Sequence, residues 1–222
     1  MINLEHSEHR VIAVHTINDD LFELLVERNG MEFTPGDCVA VYTEQDQSRP
    51  YSIASGSDQD ILRFLIREMD GGEVSPWLRK RKPGEMVRIT PPFGWFRPGQ
   101  EIGNHPFVFL ATGTGIAPFI AYMETFNHPP AAILYGVRRT ADAFGFSRLR
   151  TFCPETRLAV SREASSEHHH GRLTDLLPDL PRTENMHYYS CGLESMVNDT
   201  AAWLQENGIP LSQIHREVFF HG

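Results

Sequence analysis

The chain is poor in cysteine, with only Cys38, Cys153 and Cys191 among 222 residues, each far from the others. That spacing excludes a four-thiolate iron–sulfur cluster and a disulfide framework, and it fits a reducing, cytoplasmic setting. Basic charge is scarce too: 20 Lys and Arg stand against 29 Asp and Glu, for a formal net charge of −9. General nucleic-acid binding needs a basic surface and is disfavoured. No apolar run approaches the roughly 20 residues of a membrane span. Met1 to His6 lack the pattern of a secretion signal. Internal repeats, low-complexity segments and a strong hydrolase or metal motif are missing as well. His168-His169-His170 reads as a polar loop, too short to argue for a metal.

Hydrophobic residues make up 41% of the chain, enough for a real core, and the length suits two domains. Residues from about 8 to 91 read as short strands punctuated by turns. Val11–Val14 and Leu21–Val26 flank Asn18-Asp19-Asp20, Pro35-Gly36-Asp37 leads into Cys38–Tyr42, and Lys82-Pro83-Gly84-Glu85 leads into Met86–Ile89. Leu62, Phe64 and Ile66 alternate with Arg63, Leu65 and Arg67, the two-residue period of a sheet. A small antiparallel β-barrel over residues 1–98 is expected. After Pro98–Asn104 the pattern changes. Pro106–Ala111 and Ala131–Gly136 are continuous apolar runs, as in strands buried on both faces. Helical patterns alternate with them near 116–126, 142–151, 172–177 and 194–206. The second domain, residues 103–222, is expected to be an α/β fold on a parallel sheet.

Two motifs carry chemistry. Arg49-Pro50-Tyr51-Ser52 places a cation, a flat aromatic and a hydroxyl on one extended segment, groups that hold a phosphate and lie along a ring system. Gly113-Thr114-Gly115-Ile116-Ala117-Pro118 is a glycine-rich turn between an apolar strand and a helix, where a backbone meets a phosphate. Its last position is Pro118, so it is not a Rossmann fingerprint, which needs glycine there. Downstream of the first motif, Gly71-Gly72-Glu73-Val74-Ser75-Pro76 looks like a turn entering a helix, its N–H groups and the Ser75 hydroxyl facing an anion. Two ring-bearing phosphate ligands in one small chain suggest electron transfer between cofactors.

Together these elements resemble the ferredoxin–NADP reductase family, nearly end to end. The resemblance implies a bound FAD on the barrel. Arg49 and Ser75 would hold its diphosphate with Gly72, Glu73 and Val74. Tyr51, beside Pro50, would stack on the isoalloxazine and Ser52 would sit near its reacting nitrogen. Backbone groups around Phe64, Leu65 and Ile66 would line the ring edge. Gly113, Thr114, Gly115 and Pro118 would admit the nicotinamide nucleotide, with Thr114 near both cofactors and Cys191-Gly192 beside the nicotinamide. Ser161, Arg162 and Arg172 would clamp a 2′-phosphate, favouring NADPH over NADH, and Arg138 would meet the diphosphate. Near the C-terminus Glu217 fits the family's carboxylate, and Phe219 or Phe220 its flavin-covering aromatic, although relatives end on tyrosine. Ser52, Cys191 and Glu217 would tune geometry and proton supply. With no iron–sulfur module, the one-electron partner would be a separate ferredoxin or flavodoxin, steered by the basic run Arg79-Lys80-Arg81-Lys82. Two competing expectations are a reductase that uses free flavin as substrate and a flavin subunit of a larger complex. Gly71–Ser75 argues against the first. The lack of a C-terminal cysteine cluster argues against the second.

Overall fold

The computed structural model describes residues 6–164 and 166–219. Its N-terminal half is built from β1 (Ser7–Thr16), β2 (Leu21–Glu27), β3 (Cys38–Tyr42), β4 (Ser48–Ser52), β5 (Ile61–Arg67), a short helix α1 (Val74–Arg79) and β6 (Met86–Ile89). The strands form one antiparallel sheet in the order β4-β3-β6-β1-β2-β5. Its two edges meet: Ile53, just past β4, bridges Phe64 of β5, and the Ala54 N–H donates to the Arg63 carbonyl at 2.8 Å. The sheet thus closes into the expected barrel. Phe22, Leu24, Val26, Val39, Val41, Leu62, Phe64 and Ile66 fill it. Pro50 is tolerated because β4 is an edge strand paired in the ladder only with β3.

The C-terminal half runs β7 (Phe107–Thr112), α2 (Ala117–Thr125), β8 (Ala132–Val137), α3 (Phe146–Phe152), β9 (Thr156–Val160), β10 (His169–His170), β11 (His187–Gly192), α4 (Glu194–Glu206) and β12 (Ile214–Val218). These strands form a parallel sheet in the order β10-β9-β8-β7-β11-β12. Alternate residues of the buried runs serve opposite faces. Phe107, Phe109 and Ala111 pack with Phe119 and Ile120 of α2 and Leu149 of α3. Val108 and Leu110 pack with Val197, Ala201 and Leu204 of α4 and with Leu173 and Leu177. Among the described residues, no helix is long and apolar enough to cross a membrane.

Three local expectations change. The helix expected over 142–151 starts at Phe146, because a 3-10 turn at Thr140–Asp142 and a left-handed Gly145 (φ 69°) take up its beginning. The pattern near 172–177 is a 3-10 segment, Leu173–Asp179, in which Pro178 cannot donate an α-helical bond. His169 and His170, expected in a loop, pair in parallel with Ala159 and Val160 and add an edge strand.

The two halves share a core. Leu21, Ala54, Leu65 and Phe96 of the N-terminal half pack in the same cluster as Phe109, Phe119 and Tyr189. This explains Leu65: strand alternation turns it away from the barrel interior, yet it is only 4% exposed. Polar groups lock the seam. Glu124 of α2 accepts from Arg63 at 2.7 Å and from Gln59 at 2.8 Å, and it also pairs with Arg148. Arg67 pairs with Asp20 and lies 3.4 Å from Asp142, which accepts from Asn18 at 2.8 Å.

The Glu124 side chain is 5% exposed, so losing its charge leaves the half-buried Arg63 with Glu23, at 3.3 Å, as its remaining carboxylate partner. Burial alone would raise the Glu124 pKa, but Arg148, Arg63 and Gln59 hold it below the ordinary 4.5. A carboxyl more acidic in the folded than in the unfolded chain stabilises fully above the unfolded pKa. That contribution is lost as pH falls through the lower folded value. Glu124→Gln should therefore cost about 2 kcal/mol at pH 7. Urea melts should also show its stability falling less steeply than wild type below pH 4.5.

Candidate active site

The parallel sheet has a switch point between β7 and β11. From β7 the chain leaves towards α2 and β8, whereas β11 leads to α4 and β12 on the other side. Diverging connections open a crevice at the carboxyl ends of neighbouring strands. Gly113–Ile116 forms a 3-10 turn at that place, opened by Gly113 in the left-handed region (φ 54°). The turn interlocks with Cys191-Gly192. A Cβ on Gly115 would sit 2.4 Å from the Cys191 carbonyl oxygen, and one on Gly192 (φ 131°) 2.3 Å from Thr112 Oγ1. That hydroxyl accepts the Leu193 N–H at 2.9 Å. Glycine is required here by close approach of two backbones.

The crevice is a cleft of about 740 Å³. Its wall brings together Gly113, Thr114, Arg138, Ser161, Arg162, Arg172, Gly192 and Phe219, eight residues that the sequence singled out from six separate segments. Arg67 and Met69 of the barrel half face them. The three arginines from the nucleotide side are exposed at the mouth. Their loops are fixed by carboxylates: Glu163 accepts the Thr140 N–H at 2.9 Å, and Asp175 accepts the Arg172 N–H at 2.7 Å. The Ser161 hydroxyl donates to the Val137 carbonyl at 3.3 Å. Gly115, Pro118 and Cys191 are buried and lie behind this wall, and Pro118 is the second residue of α2.

On the barrel side, Arg49 is exposed, and its guanidinium donates to the neighbouring Ser48 carbonyl at 2.9 Å. Tyr51 packs beside Phe64, with ring centres 6.4 Å apart, and burial pushes its phenol well up. Ser52 is buried at the end of β4. Its hydroxyl lies 3.3 Å from Cys38 Sγ, and the Cys38 thiol donates in turn to Glu217 Oε1 at 3.5 Å. Burial raises the Glu217 carboxyl above its ordinary value, while the Cys38 hydrogen bond and Arg97 pull it back part of the way. Cys191 pairs with Glu217 across β11 and β12; burial, then Glu217 and Cys38, push its thiol well up. The three residues assigned to geometry and proton supply therefore meet, and they meet around Cys38. Nothing in the sequence flagged Cys38, since a lone cysteine in an apolar strand reads as a small hydrophobe.

The turn before α1 is built differently from the expectation. The Ser75 hydroxyl accepts the Met69 N–H at 3.0 Å, which closes the turn and leaves its own O–H to donate. Gly72 is needed for room, because a Cβ would lie 3.0 Å from the Met69 carbonyl oxygen. The helix begins at Val74, with Glu73 before it, so Pro76 is its third residue and not its first; its missing N–H still costs no helical bond there. Phe64 and Ile66 fill the barrel, whereas Leu65 faces the other half. The Phe219 N–H donates to the Gly192 carbonyl at 2.9 Å, which ties the chain end across the switch point. Phe220 lies outside the described residues. Of the basic run, Arg79 donates to the carbonyls of Asp19 and Asn18 and pairs with Glu68. Arg81 lies 4.1 Å over Trp77 and 3.3 Å from Glu85. Half of the proposed docking charge is thus held internally.

A closed antiparallel barrel that presents a cation, an aromatic and a hydroxyl, set against a parallel sheet with a glycine turn at its switch point, defines a two-domain oxidoreductase for two nucleotide cofactors. The comparisons agree. Residues 8–97 match the oxidoreductase FAD-binding domain, and residues 109–202 match the oxidoreductase NAD-binding domain. The chain belongs to the ferredoxin–NADP reductase family. It is 28% identical to the ferredoxin–NADP reductase of Pseudomonas aeruginosa, over 91% of this chain and 90% of that protein. It is also 28% identical to the ferredoxin–NAD(P)(+) reductase component of the naphthalene 1,2-dioxygenase/salicylate 5-hydroxylase systems of a Ralstonia species, over 95% of this chain and 68% of that one. The chain spans 60% of the toluate 1,2-dioxygenase electron transfer component of Pseudomonas putida, a further relative. A ferredoxin NADP+ reductase from Neisseria gonorrhoeae, solved with FAD and NADP, shares the fold with a TM-score of 0.85 at 21% identity, over 97% of this chain and 99% of that one.

The residues present fit an FAD on the barrel. Arg49 is exposed beside the half-buried Tyr51. A Cβ added to Gly71 (φ 72°) would meet nothing within 4 Å, so the backbone of that turn is open to a ligand.

Proposed function

We propose that this chain is an NADPH-dependent FAD reductase that passes electrons one at a time to a separate ferredoxin or flavodoxin. FAD belongs to the module of residues 1–98 and the nicotinamide nucleotide to that of residues 103–222. The observation that carries this reading is the shared cleft, in which Thr114, Arg162, Arg172 and Phe219 stand opposite Arg67 and Met69 of the barrel. The Pseudomonas aeruginosa and Ralstonia relatives, reductases of ferredoxin with NADP or NAD(P), support the partner and the nucleotide class.

A bound flavin would supply hydride acceptance and single-electron release, and the protein would supply position and electrostatics. Arg49 and the turn at Gly72–Ser75 hold the diphosphate, and Tyr51 fixes the plane of the ring. Ser52 addresses the reacting nitrogen. Phe219 shields the ring face until the nicotinamide takes its place. Arg162, Arg172 and Ser161 bind the 2′-phosphate at the far end, and Arg138 meets the diphosphate. Gly113-Thr114 and Gly192 let the nicotinamide come close to the backbone, where contact distance governs hydride transfer. Lys80 and Lys82 remain the better candidates in the basic run for meeting an acidic carrier.

Gel filtration followed by dye reduction tests the proposal. The purified protein should stay yellow through the column and reduce a dye with NADPH far more efficiently than with NADH. A colourless protein that turns over free flavin would establish the competing flavin-reductase activity instead.

A further inference from the structure

The hydrogen-bonded path from Ser52 to Glu217 has a sulfur in its middle. Among the described residues, Ser52 and Glu217 share no direct hydrogen bond; each bonds Cys38, at 3.3 and 3.5 Å. The ladder fixes the first contact, because Cys38 of β3 stands directly opposite Ser52 of β4. Backbone bonds fix Cys38 itself: its N–H donates to Phe93 at 2.7 Å and its carbonyl accepts the Phe93 N–H at 2.8 Å. The second contact crosses between the two halves of the molecule to β12. Since the thiol proton points at the Glu217 carboxylate, the Ser52 hydroxyl is left to donate to the sulfur. The chain of donors thus runs one way, from Ser52 through Cys38 to Glu217.

We propose that Cys38 is a positioning residue and proton relay, joining the Ser52 hydroxyl to the Glu217 carboxylate. The proposal rests on the reductase reading above. A hydride is one proton and two electrons. When the electrons leave singly for two carrier molecules, one proton stays behind and must depart. A proton reaching Ser52 Oγ displaces the serine's own proton to Cys38 Sγ, and the thiol proton passes to Glu217, which releases it to solvent. The O–H and S–H bonds re-form, so neither relay member changes charge and no further oxidant is needed. Burial, with Glu217 nearby, pushes the Cys38 thiol up to about 12, so it keeps the proton that a relay requires. Burial also raises Glu217 and makes it a better acceptor. The other titratable groups near Cys38 and Glu217 are Cys191 of β11, Asp37 beside Cys38, and Arg97, which pairs with Asp37 at 2.8 Å.

Cofactor-free protein gives the first test. The infrared S–H band that vanishes in Cys38→Ala should shift in both Ser52→Ala and Glu217→Gln. A band indifferent to either substitution overturns the relay. The holoenzyme gives the second test. Cys38→Ala should slow carrier-coupled turnover about tenfold, less than loss of a direct acid or base, because Cys38 acts through Ser52. It should also remove the Glu217 limb from the pH profile. Its FAD content and its KM for NADPH should stay unchanged. Cys38→Ser, which keeps a donor and an acceptor, should recover most of the rate and the lost limb. Equal turnover of Cys38→Ala and wild type, or a Cys38→Ser variant that keeps FAD yet is as slow as Cys38→Ala, overturns the relay alone. Wild-type protein that shows the coupled band but takes no electrons from NADPH overturns the reductase reading and the relay with it.

Discussion

Gly115→Ala should lower NADPH-dependent turnover about 100-fold while the protein keeps its flavin. The added methyl would meet the Cys191 carbonyl oxygen at 2.4 Å, its carbon at 2.6 Å and the Gly192 Cα at 2.6 Å. All three are backbone atoms, so no side chain can swing aside. Either the Gly113–Ile116 turn lifts from β11 or the end of β11 moves. A displacement of about 1 Å between bound reactants costs on the order of 10² in rate. Overpacking of this kind also costs about 1–3 kcal/mol of stability. The contacts proposed for the FAD diphosphate lie on the barrel, away from Gly115, so absorbance after gel filtration should report an unchanged flavin content. Gly84→Ala is the control. Unlike Gly115, it occupies the left-handed region (φ 92°), and nothing lies within 4 Å of the added carbon. It should cost only about 1–2 kcal/mol of backbone strain and leave turnover intact.

Replacing Arg162 and Arg172 together with alanine should cut kcat/KM for NADPH about 100-fold and leave that for NADH within about twofold. Hydrogen bonds to a charged group contribute about 1.5–3 kcal/mol each, and 1.4 kcal/mol is a factor of ten. Exposure at the cleft mouth places this pair at the low end of that range. The preference should weaken further as salt is raised in the wild type, because two exposed cations facing a dianion are screened. Steady-state dye reduction with both nucleotides, at low and high ionic strength, measures this directly. A parallel loss with NADH would assign the two arginines to the part of the nucleotide that both cofactors share. Arg138→Ala, aimed at that shared diphosphate, is expected to lower both efficiencies together.

Much of this architecture was legible in the sequence, for reasons particular to its segments. Val108–Ala111 and Ile133–Tyr135 are apolar without interruption because both sheet faces are covered, which only a parallel sheet between helices provides. Gly113 and Thr114 stood out in a glycine-rich strand-to-helix turn, Arg138, Arg162, Arg172 and Phe219 through the resemblance to ferredoxin–NADP reductases, and one cleft gathers all six. Leu65 was harder. Its alternation marks it as outward, and only contact between the two halves makes that position apolar and buried. The Ser75 hydroxyl illustrates another gap: residue type announces a donor and acceptor, but not that the acceptor is taken by Met69. Cys38 was invisible for a deeper reason. Its partners stand 14 and 179 residues away, and only the meeting of β4 with β3 and of β12 with the barrel creates the path.

The seam made by Leu21, Ala54, Leu65 and Phe96 bears on how such a molecule can be rebuilt. Its two halves look like interchangeable cartridges, one for each nucleotide, yet four side chains of the first complete the interior of the second. A chimera that grafts a relative's nucleotide cartridge onto this barrel inherits a mismatched joint unless those four positions travel with the graft. The same applies to the Arg63–Glu124 latch. The natural unit of exchange is therefore a cartridge with its gasket attached, and the gasket is written in residues that belong, by sequence, to the other half.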